Sequence, residues 1–279
     1  MITERKYILG IVGLGNMGSA LLKGIIDSGF LKSREIAVFD IDNEKIKKNE
    51  ELFKVNSFKN LKEIIINSRY ILIAVKPQNI KDMISVLKEN CNINENVIIS
   101  IAAGISTNFF EKNIGNIPVI RIMPNTPAIY NKGISAISSG KFTKKEHKDF
   151  SEKLMKSVGE TVLIDEKFQN PVTVISGSGP AYFFLFCKIM IDFAVENGLD
   201  LQTAKKLVID TLLGAGEILI NSDKSINNLI KAVASPGGTT EAALNKFNDN
   251  NLKEVLFDAL KAALNRSYEL EADIFKKDN

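Results

Sequence analysis

Several chemistry-bearing residue types are rare in this sequence. Its 279 residues include no tryptophan, one histidine and two cysteines. Cys91 and Cys187 lie far apart and share no motif, which argues against a disulfide framework or a zinc site and fits a reducing compartment. We interpret each as a free buried thiol. His147 stands in a run of charged residues, so we interpret it as a surface residue. We therefore expect no bound metal and no histidine base.

Long hydrophobic runs and a strong excess of one charge are also missing. The 36 basic and 33 acidic residues leave a net charge of +3. A charge this small does not indicate that the protein binds nucleic acid. The apolar segment 7–12 is too short for the core of a signal peptide. The segment 181–195 is interrupted by Lys188 and Asp192, so we interpret it as a buried helix, because a membrane span needs about 20 mainly apolar residues. We expect a cytoplasmic protein that binds neither nucleic acid nor membrane.

The first part of the chain alternates short apolar runs with amphipathic stretches. The composition, 45% hydrophobic and 25% charged, is typical of a globular protein with a sizeable core. Continuous apolar runs separated by helical segments predict a parallel sheet covered on both faces. The predicted strands are 7–12, 35–40, 70–75, 97–101 and 119–123, with 133–138 and 161–164 as candidate edge strands.

After about residue 165 the pattern becomes helical, in the segments 171–197, 202–221, 226–233 and from 239 to near the end. We therefore predict an α/β fold with an N-terminal Rossmann-type, doubly wound sheet in residues 1–165 and an all-α domain in residues 166–279. The segments 181–186 and 207–213 are too apolar for a single layer of helices to cover. Apolar surface of this size usually marks an interface, so we predict an obligate homo-oligomer, most simply a symmetric dimer through the helical domain.

A glycine motif follows the first predicted strand and precedes a helix. The run Gly13-Leu14-Gly15-Asn16-Met17-Gly18 has the G-x-G-x-x-G spacing of a dinucleotide-binding turn. The first glycine allows the tight turn, the second the close approach of a pyrophosphate, and the third the packing of the helix on its strand. The phosphates would bind free N–H groups at the helix N-terminus. A glycine-rich turn without a ligand is the alternative.

An acidic residue follows at the distance expected for such a site. Asp40 ends the second predicted strand, about 20 residues after the last glycine, where a carboxylate accepts hydrogen bonds from the adenosine ribose. It would also repel a 2′-phosphate, and no arginine follows at once, so charge favours NAD(H) over NADP(H). Asp42 offers the same chemistry. Either carboxylate can instead cap the helix that begins near Asn43.

Three more loops follow the strands that end near residues 75, 101 and 123. In a doubly wound sheet the ligand lies across the carboxyl ends of the strands. Small residues there permit the approach of a flat ring, prolines fix the loop shapes, and an asparagine offers both a donor and an acceptor. Each loop alone resembles an ordinary turn, but together they predict a nicotinamide pocket. The predicted contacts are Ala74, Val75, Lys76, Pro77, Ala102, Ala103, Gly104 and Asn125.

Two segments of the helical part, 176–182 and 235–242, are rich in glycine and hydroxyl groups. Each is typical of a helix N-terminus with free N–H groups, which is a kind of anion site. The second is the better candidate for a substrate carboxylate, held by N–H groups around Gly238–Thr240 and by the hydroxyls of Ser235 and Thr239. Simple helix capping is the alternative for both segments, and for the first it is equally well supported.

Five motifs together resemble those of pyrroline-5-carboxylate reductases, in the same order and over nearly the whole chain. They are Gly13–Gly18, 74–78 (AVKPQ), 123–127 (MPNTP), 177–182 (GSGPAY) and 235–240 (SPGGTT). The resemblance implies reduction of 1-pyrroline-5-carboxylate to L-proline, the last step of proline synthesis, by hydride transfer from NADH or NADPH.

The same resemblance implies a Rossmann domain and an intertwined helical dimerisation domain, with rings of dimers common in the family. It places the active site between the cofactor domain and the helical domain of the dimer. The family's site residues correspond to a carboxylate site at Ser235, Gly237, Gly238 and Thr239, and to a hydrogen bond from Thr240 to the ring nitrogen of the substrate.

Two segments depart from the family pattern. Many members carry an asparagine–arginine pair after the second strand, where this chain has Asp40 and Ile41. Members often have Glu-x-His-Pro before the last motif, where this chain has residues 223–226 (DKSI), at the rim of the substrate pocket. The alternatives are a reductase of another cyclic imine or keto acid, and a dinucleotide-sensing protein without turnover. The complete 235–240 motif argues against the sensor.

Overall fold

The computed structural model describes residues 5–276, with side chains described to residue 272. The chain divides into two compact units. The first holds the residues up to Ser178 together with the stretch that begins at Leu264, and the second is Gly179–Ala263. The domain boundary expected between residues 165 and 166 stays a prediction.

The first unit is built on one eight-stranded sheet. Its strands are β1 (Tyr7–Val12), β2 (Ile36–Phe39), β3 (Asn56–Ser57), β4 (Ser68–Ile73), β5 (Val97–Ser100), β6 (Val119–Met123), β7 (Gly133–Ser139) and β8 (Gly159–Leu163). They are ordered β3-β2-β1-β4-β5-β6-β7-β8, and all neighbours are parallel except β6 and β7. The order 3-2-1-4-5-6 is that of the dinucleotide-binding fold, with its switch point between β1 and β4, and it confirms the predicted Rossmann-type sheet.

Helices cover both faces of this sheet. They are α1 (Asn16–Asp27), α2 (Asn43–Phe53), α3 (Leu61–Asn67), α4 (Ile80–Asn90), α5 (Thr107–Ile114) and α6 (Lys145–Lys156). Alternate strand residues point to opposite faces, so Leu9 and Ile11 pack in one apolar layer with α1, α2 and α6. Val12 and Ile73 pack in the other layer with α3, α4 and α5. Burial on both faces explains why the strands are continuous apolar runs.

All seven predicted strands are present, with ends that differ by at most two residues. The strand that sequence reasoning missed is β3, which has two residues, both polar, and pairs only with β2. A strand this short shows neither an apolar run nor alternation, so no pattern could mark it.

The interpretation of His147 as a surface residue is wrong, because its side chain is only 5% exposed. The ring turns inward at the start of α6, where Nδ1 accepts a hydrogen bond from Lys144 N at 3.2 Å. It packs edge-on against Tyr70. Burial lowers the pKa of His147. Its charged neighbours in the sequence are mostly exposed, which is what misled the sequence reasoning.

The second unit is helical. The first stretch of the first unit closes with α7 (Gln169–Val172) and a π-helical turn (Thr173–Gly177). The helices that follow are α8 (Gly179–Glu196), α9 (Leu201–Asn221), α10 (Ile226–Val233) and α11 (Thr239–Asp249), and then α12 (Leu252–Lys276), which begins in the second unit and ends in the first.

Helix α8 is exposed within the single chain, which corrects its interpretation as a buried helix. Phe184 and Phe193 are each 67% exposed, because the second unit supplies too few helices to cover them. Among the described residues, the helical run Glu166–Glu196 alone is long and apolar enough to cross a membrane by length and composition. The same criterion is met by apolar packing helices, so it is weak support for a membrane span.

Candidate functional site

The glycine loop lies where β1, β2 and β4 end. Gly13 has a φ of +100°, a conformation that residues with a side chain rarely adopt. Its N–H donates to Phe39 O at 2.8 Å. A Cβ at this position would lie 2.7 Å from Ala74 O. The loop therefore lies against the ends of both neighbouring strands, as a dinucleotide-binding turn requires.

The other two glycines of the motif differ in the space around them. A Cβ on Gly18 would overlap the carbonyl oxygen of Gly13, so a glycine here lets α1 pack against the loop. A Cβ on Gly15 would meet nothing within 4 Å. Gly15 is the N-cap of α1 and supplies no side-chain hydrogen bond. The first N–H groups of α1 are thus left for an anion, and the residues present fit a pyrophosphate.

The two carboxylates after β2 have separate roles. Asp40 Oδ2 accepts from Leu14 N at 2.6 Å and its Oδ1 accepts from Asp42 N at 2.9 Å. Asp42 instead caps α2, accepting from Glu44 N at 3.0 Å and from Lys45 N. The bond from Glu44 N is the main cause that lowers the pKa of Asp42. Asp40 therefore lies against the glycine loop, and the capping alternative applies to Asp42.

The loops after β4 and β5 bring only some of the predicted residues together. Ala74 and Val75 lie against Gly13, whereas Lys76 is exposed and precedes the 3-10 turn that starts at Pro77. After β5, Ala102 is buried, Ala103 is exposed, and Gly104 has a φ of +75°. Ala74, Ala103 and Gly104 are small residues, as the approach of a flat ring to the carboxyl ends of the strands requires.

Asn125 follows β6 and is 8% exposed. Its Oδ1 accepts a hydrogen bond from Ile134 N at 2.9 Å, which fixes the amide in one orientation. The Nδ2 group has no hydrogen-bond partner among the described residues, so Asn125 presents it as a free donor.

Sequence reasoning missed a residue that supports the loop after β5. Glu166 accepts from Thr107 N at 2.7 Å and from Thr107 Oγ1 at 2.6 Å, at the start of α5. Arg121, which is buried, lies 3.3 Å from the same carboxylate. These bonds anchor the segment that follows Gly104. No local pattern marks Glu166, because its partners are 45 and 59 residues away.

The segment 176–182 contains the start of α8 at Gly179, directly after the π-helical turn, so the predicted helix N-terminus is present. Ser178 N is engaged, since it donates to Thr173 O at 2.8 Å, and the anion site and the helix cap both stay predictions. Gly177 permits a close contact, since a Cβ at this position would lie 2.6 Å from Met123 Cε. The π-helical turn thus packs against the end of β6.

The segment 235–242 does form a helix N-terminus, as predicted. Gly238 is the N-cap of α11 and supplies no side-chain bond. Gly237, with a φ of +71°, donates its N–H to Glu241 Oε2 at 2.7 Å, and Gly238 N donates to Ser235 O at 3.0 Å. Two of the predicted backbone donors are therefore engaged within the loop.

The segment 223–226 has a structural role in this chain. Ser225 is the N-cap of α10, and its hydroxyl accepts from Asn228 N at 3.3 Å. Ile226, which stands where the family often has proline, is 65% exposed.

Two hollows of the surface are lined by residues outside these loops. One, of about 1050 Å³, lies at the amino ends of β1, β4 and β5, the sheet edge opposite the glycine loop, and the other, of about 660 Å³, runs along α9. Within the described residues, no group of three or more His, Cys, Asp or Glu side chains is arranged to hold a metal ion.

Comparison with known proteins matches both parts of the chain. Residues 166–270 match the family described as "Pyrroline-5-carboxylate reductase dimerisation". Residues 8–104 match the one described as "NADP oxidoreductase coenzyme F420-dependent". A pyrroline-5-carboxylate reductase of Arabidopsis thaliana is 34% identical over 269 residues, which is 96% of this chain and 97% of the relative.

Solved structures give the same result. The chain is similar to a pyrroline-5-carboxylate reductase from Coxiella burnetii, with a TM-score of 0.87 at 32% identity, covering 95% of this chain and 98% of that one. It is also similar to Plasmodium falciparum pyrroline carboxylate reductase with NADP bound, with a TM-score of 0.86 at 29% identity, covering 96% and 99%.

These similarities extend over both units and over nearly the full length of the relatives. The match to a dimerisation family agrees with the exposed apolar faces of the helical unit and supports self-association. The sheet order, the glycine loop and relatives above 30% identity lead to one conclusion. The chain belongs to the pyrroline-5-carboxylate reductase family, NAD(P)H-dependent oxidoreductases of the last step of proline biosynthesis.

Proposed function

We propose that this protein reduces 1-pyrroline-5-carboxylate to L-proline with NAD(P)H. The observation that carries the proposal is the N-terminus of α11, which begins without a side-chain cap in a chain that also holds a dinucleotide-binding loop. A reductase of a small cyclic carboxylate needs one site for a pyrophosphate and another for a carboxylate, and helix N-termini suit both anions.

The first unit holds the cofactor. The N–H groups that follow Gly15 at the start of α1 would bind the pyrophosphate, and the loop glycines let the backbone come close. Asn125 Nδ2 is the free donor that would orient the carboxamide of the nicotinamide. When bound, the reduced nicotinamide supplies the hydride, and the protein contributes binding and orientation.

The cofactor that this site favours is NADH. The Asp40 carboxylate is fixed by two backbone N–H groups, so it stays where the ribose 2′-position would lie. Lys45, a cation on α2, is engaged by Asp42 at 3.5 Å. A 2′-phosphate would therefore meet a fixed negative charge and no arginine. The similar P. falciparum protein has NADP bound. On this proposal, therefore, this chain and that protein differ in the cofactor that they prefer.

The second unit holds the substrate carboxylate. With Gly237 N and Gly238 N engaged inside the loop, the predicted donors that remain free at the start of α11 are the N–H groups of Thr239 and Thr240. The hydroxyls of Ser235 and Thr239 complete the set. The N-terminal end of the helix dipole favours a negative charge at the same place.

Thr240 orients the ring of the substrate. Its side chain is partly exposed and has no hydrogen-bond partner among the described residues, so its hydroxyl is free to donate to the ring nitrogen. The hydride adds to the carbon of the C=N bond and the electron pair moves to nitrogen. A threonine hydroxyl is a weak acid, so water supplies the proton. Holding the reactants face to face contributes up to about 7–11 kcal/mol in favourable cases.

We also propose the assembly and the location. The apolar faces of α8 and α9 are covered by a second copy of this chain in a symmetric dimer, from which a ring of dimers can be built. The protein works in the cytoplasm, away from membranes and nucleic acid, in keeping with its modest net charge of +3.

The decisive experiment measures oxidation of NADH, and separately of NADPH, by the purified protein with and without 1-pyrroline-5-carboxylate. Substrate-dependent oxidation that is faster with NADH is expected. Protein that binds a cofactor but oxidises neither would contradict the proposal, and a panel of other cyclic imines and keto acids would then be tested. A Thr240→Ala variant with unchanged kcat, beside a Thr240→Ser control, would remove the role given to Thr240.

A further inference from the structure

The first turn of α11 contains an acidic side chain, Glu241, directly after the 235–240 motif. Glu241 is the third residue of the turn that follows the N-cap Gly238. Its Oε2 accepts the N–H of Gly237 at 2.7 Å. That N–H is one of the donors that the family resemblance assigns to the substrate carboxylate. A carboxylate of the protein itself thus occupies one of these donors.

Two like charges at one helix N-terminus compete for the same donors and the same dipole. A glutamate at this helical position often reaches back to a backbone N–H and stabilises the start of the helix. Here the N–H belongs to a glycine with a positive φ in an exposed loop, so the bond holds the loop as well as placing a negative charge in it. The hydrogen bond favours binding of an anionic substrate because it holds the loop, whereas the charge repels the anion. A substitution that removes the charge and keeps a hydrogen-bond acceptor separates the two effects.

We infer that Glu241 is a resident carboxylate in the substrate's carboxylate site and that its charge weakens the binding of the substrate. This inference rests on the proposed function, since it takes the substrate to be an anion bound at α11. Glu241 acts on the affinity for substrate and has no part in hydride transfer. It therefore sets KM for the imine, and leaves kcat and KM for the cofactor as they are.

The test is Glu241→Gln, which removes the charge and keeps an oxygen that can accept from Gly237 N. KM for 1-pyrroline-5-carboxylate is expected to fall about fivefold at low salt, the factor for two unit charges ~4 Å apart in a water-exposed site. The difference should shrink as salt is raised, because exposed charges are screened. The matched control is Glu254→Gln, an exposed glutamate in the first turn of α12, which should leave KM unchanged.

An unchanged or raised KM in Glu241→Gln, with a correctly folded protein, overturns the inference. Glu241→Asp is the second variant: it keeps the charge on a shorter side chain, so its KM should not fall. A fall equal to that of the glutamine variant would show that charge is not the cause. If the wild type reduces no 1-pyrroline-5-carboxylate with either cofactor, the proposed function has failed. Calorimetric titration of the wild type and Glu241→Gln with L-proline and with acetate then decides the inference, which requires tighter binding by the variant.

Discussion

The Asp40→Asn substitution tests how the chain selects its cofactor. The change removes one negative charge. It leaves an amide oxygen that can still accept from Leu14 N, but the second bond, from Asp42 N, is lost because the amide nitrogen cannot accept. A phosphate monoester carries a charge of about −1.5 to −2 at neutral pH. Removing the unit charge of Asp40 at ~4 Å from this phosphate, in a water-exposed site, should make the binding free energy of NADPH more favourable by about 1.5–2 kcal/mol. This corresponds to about 10- to 30-fold in affinity.

NADPH should therefore bind about 10- to 30-fold more tightly to Asp40→Asn than to the wild type. NADH should bind a few-fold less tightly, because a net hydrogen bond contributes about 0.5–1.5 kcal/mol and the ribose loses a charged acceptor. The assays are KM for each cofactor with 1-pyrroline-5-carboxylate as substrate, and direct titration followed by cofactor fluorescence.

The control is Asp42→Asn, which removes the same charge two residues away. Asp42 caps α2 and asparagine is an equally good N-cap, so this variant should unfold at about the wild-type temperature, and its preference between the cofactors should stay as in the wild type. A preference that is equal in Asp40→Asn and the wild type would refute the reasoning, and so would a wild type that already favours NADPH.

Three further predictions concern packing, pH and assembly. Gly18→Ala should lower the free energy of unfolding by about 1–3 kcal/mol, because its methyl group overlaps the loop carbonyl, whereas Gly15→Ala should keep normal thermal unfolding and lose cofactor affinity. Burial lowers the pKa of His147, so the unfolded chain binds more protons than the folded one and stability should fall as the pH drops below about 6.5. Melting curves of His147→Gln should lack this part of the pH dependence. The same pH dependence in the variant and the wild type would contradict the prediction. Phe184→Asp should shift the protein towards monomer in light scattering at graded concentrations, whereas Leu52→Asp, also at an exposed apolar site, should not.

The strands and the cofactor loop could be predicted because their signals are local. A strand buried on both faces must be apolar throughout, so β1 and β6 were predicted residue for residue. Gly13 and Gly18 each meet a steric need within the chain, and Gly15 leaves the loop open on the side of the ligand, as the motif encodes. The start of α11 could be predicted for the same reason, since a helix that follows glycines leaves its first N–H groups free.

What could not be predicted depends on partners that are distant in the sequence or on exceptions to helical spacing. His147 is buried because Tyr70 and the start of α6 lie beside it, and Glu166 has a role because the chain returns to α5. The π-helical turn before Gly179 widens the helix without any change in composition. In the proposed dimer a second copy of the chain covers the exposed faces of α8. The sequence of one copy looks the same whether an apolar helix is buried within its own chain or against a partner.

The chain crosses between its two units twice. It leaves the first unit after Ser178 and rejoins it at Leu264. There Ser267 Oγ donates to Asn170 Oδ1 at 3.0 Å, and Asn170 Nδ2 donates to Glu271 Oε2 at 2.6 Å. During synthesis the nucleotide-binding unit therefore cannot be completed until residues beyond 264 have left the ribosome, by which time the whole helical unit has emerged. A prematurely terminated chain would carry both an exposed apolar helix and an unfinished first unit, and this combination favours its aggregation or degradation over its assembly with complete copies.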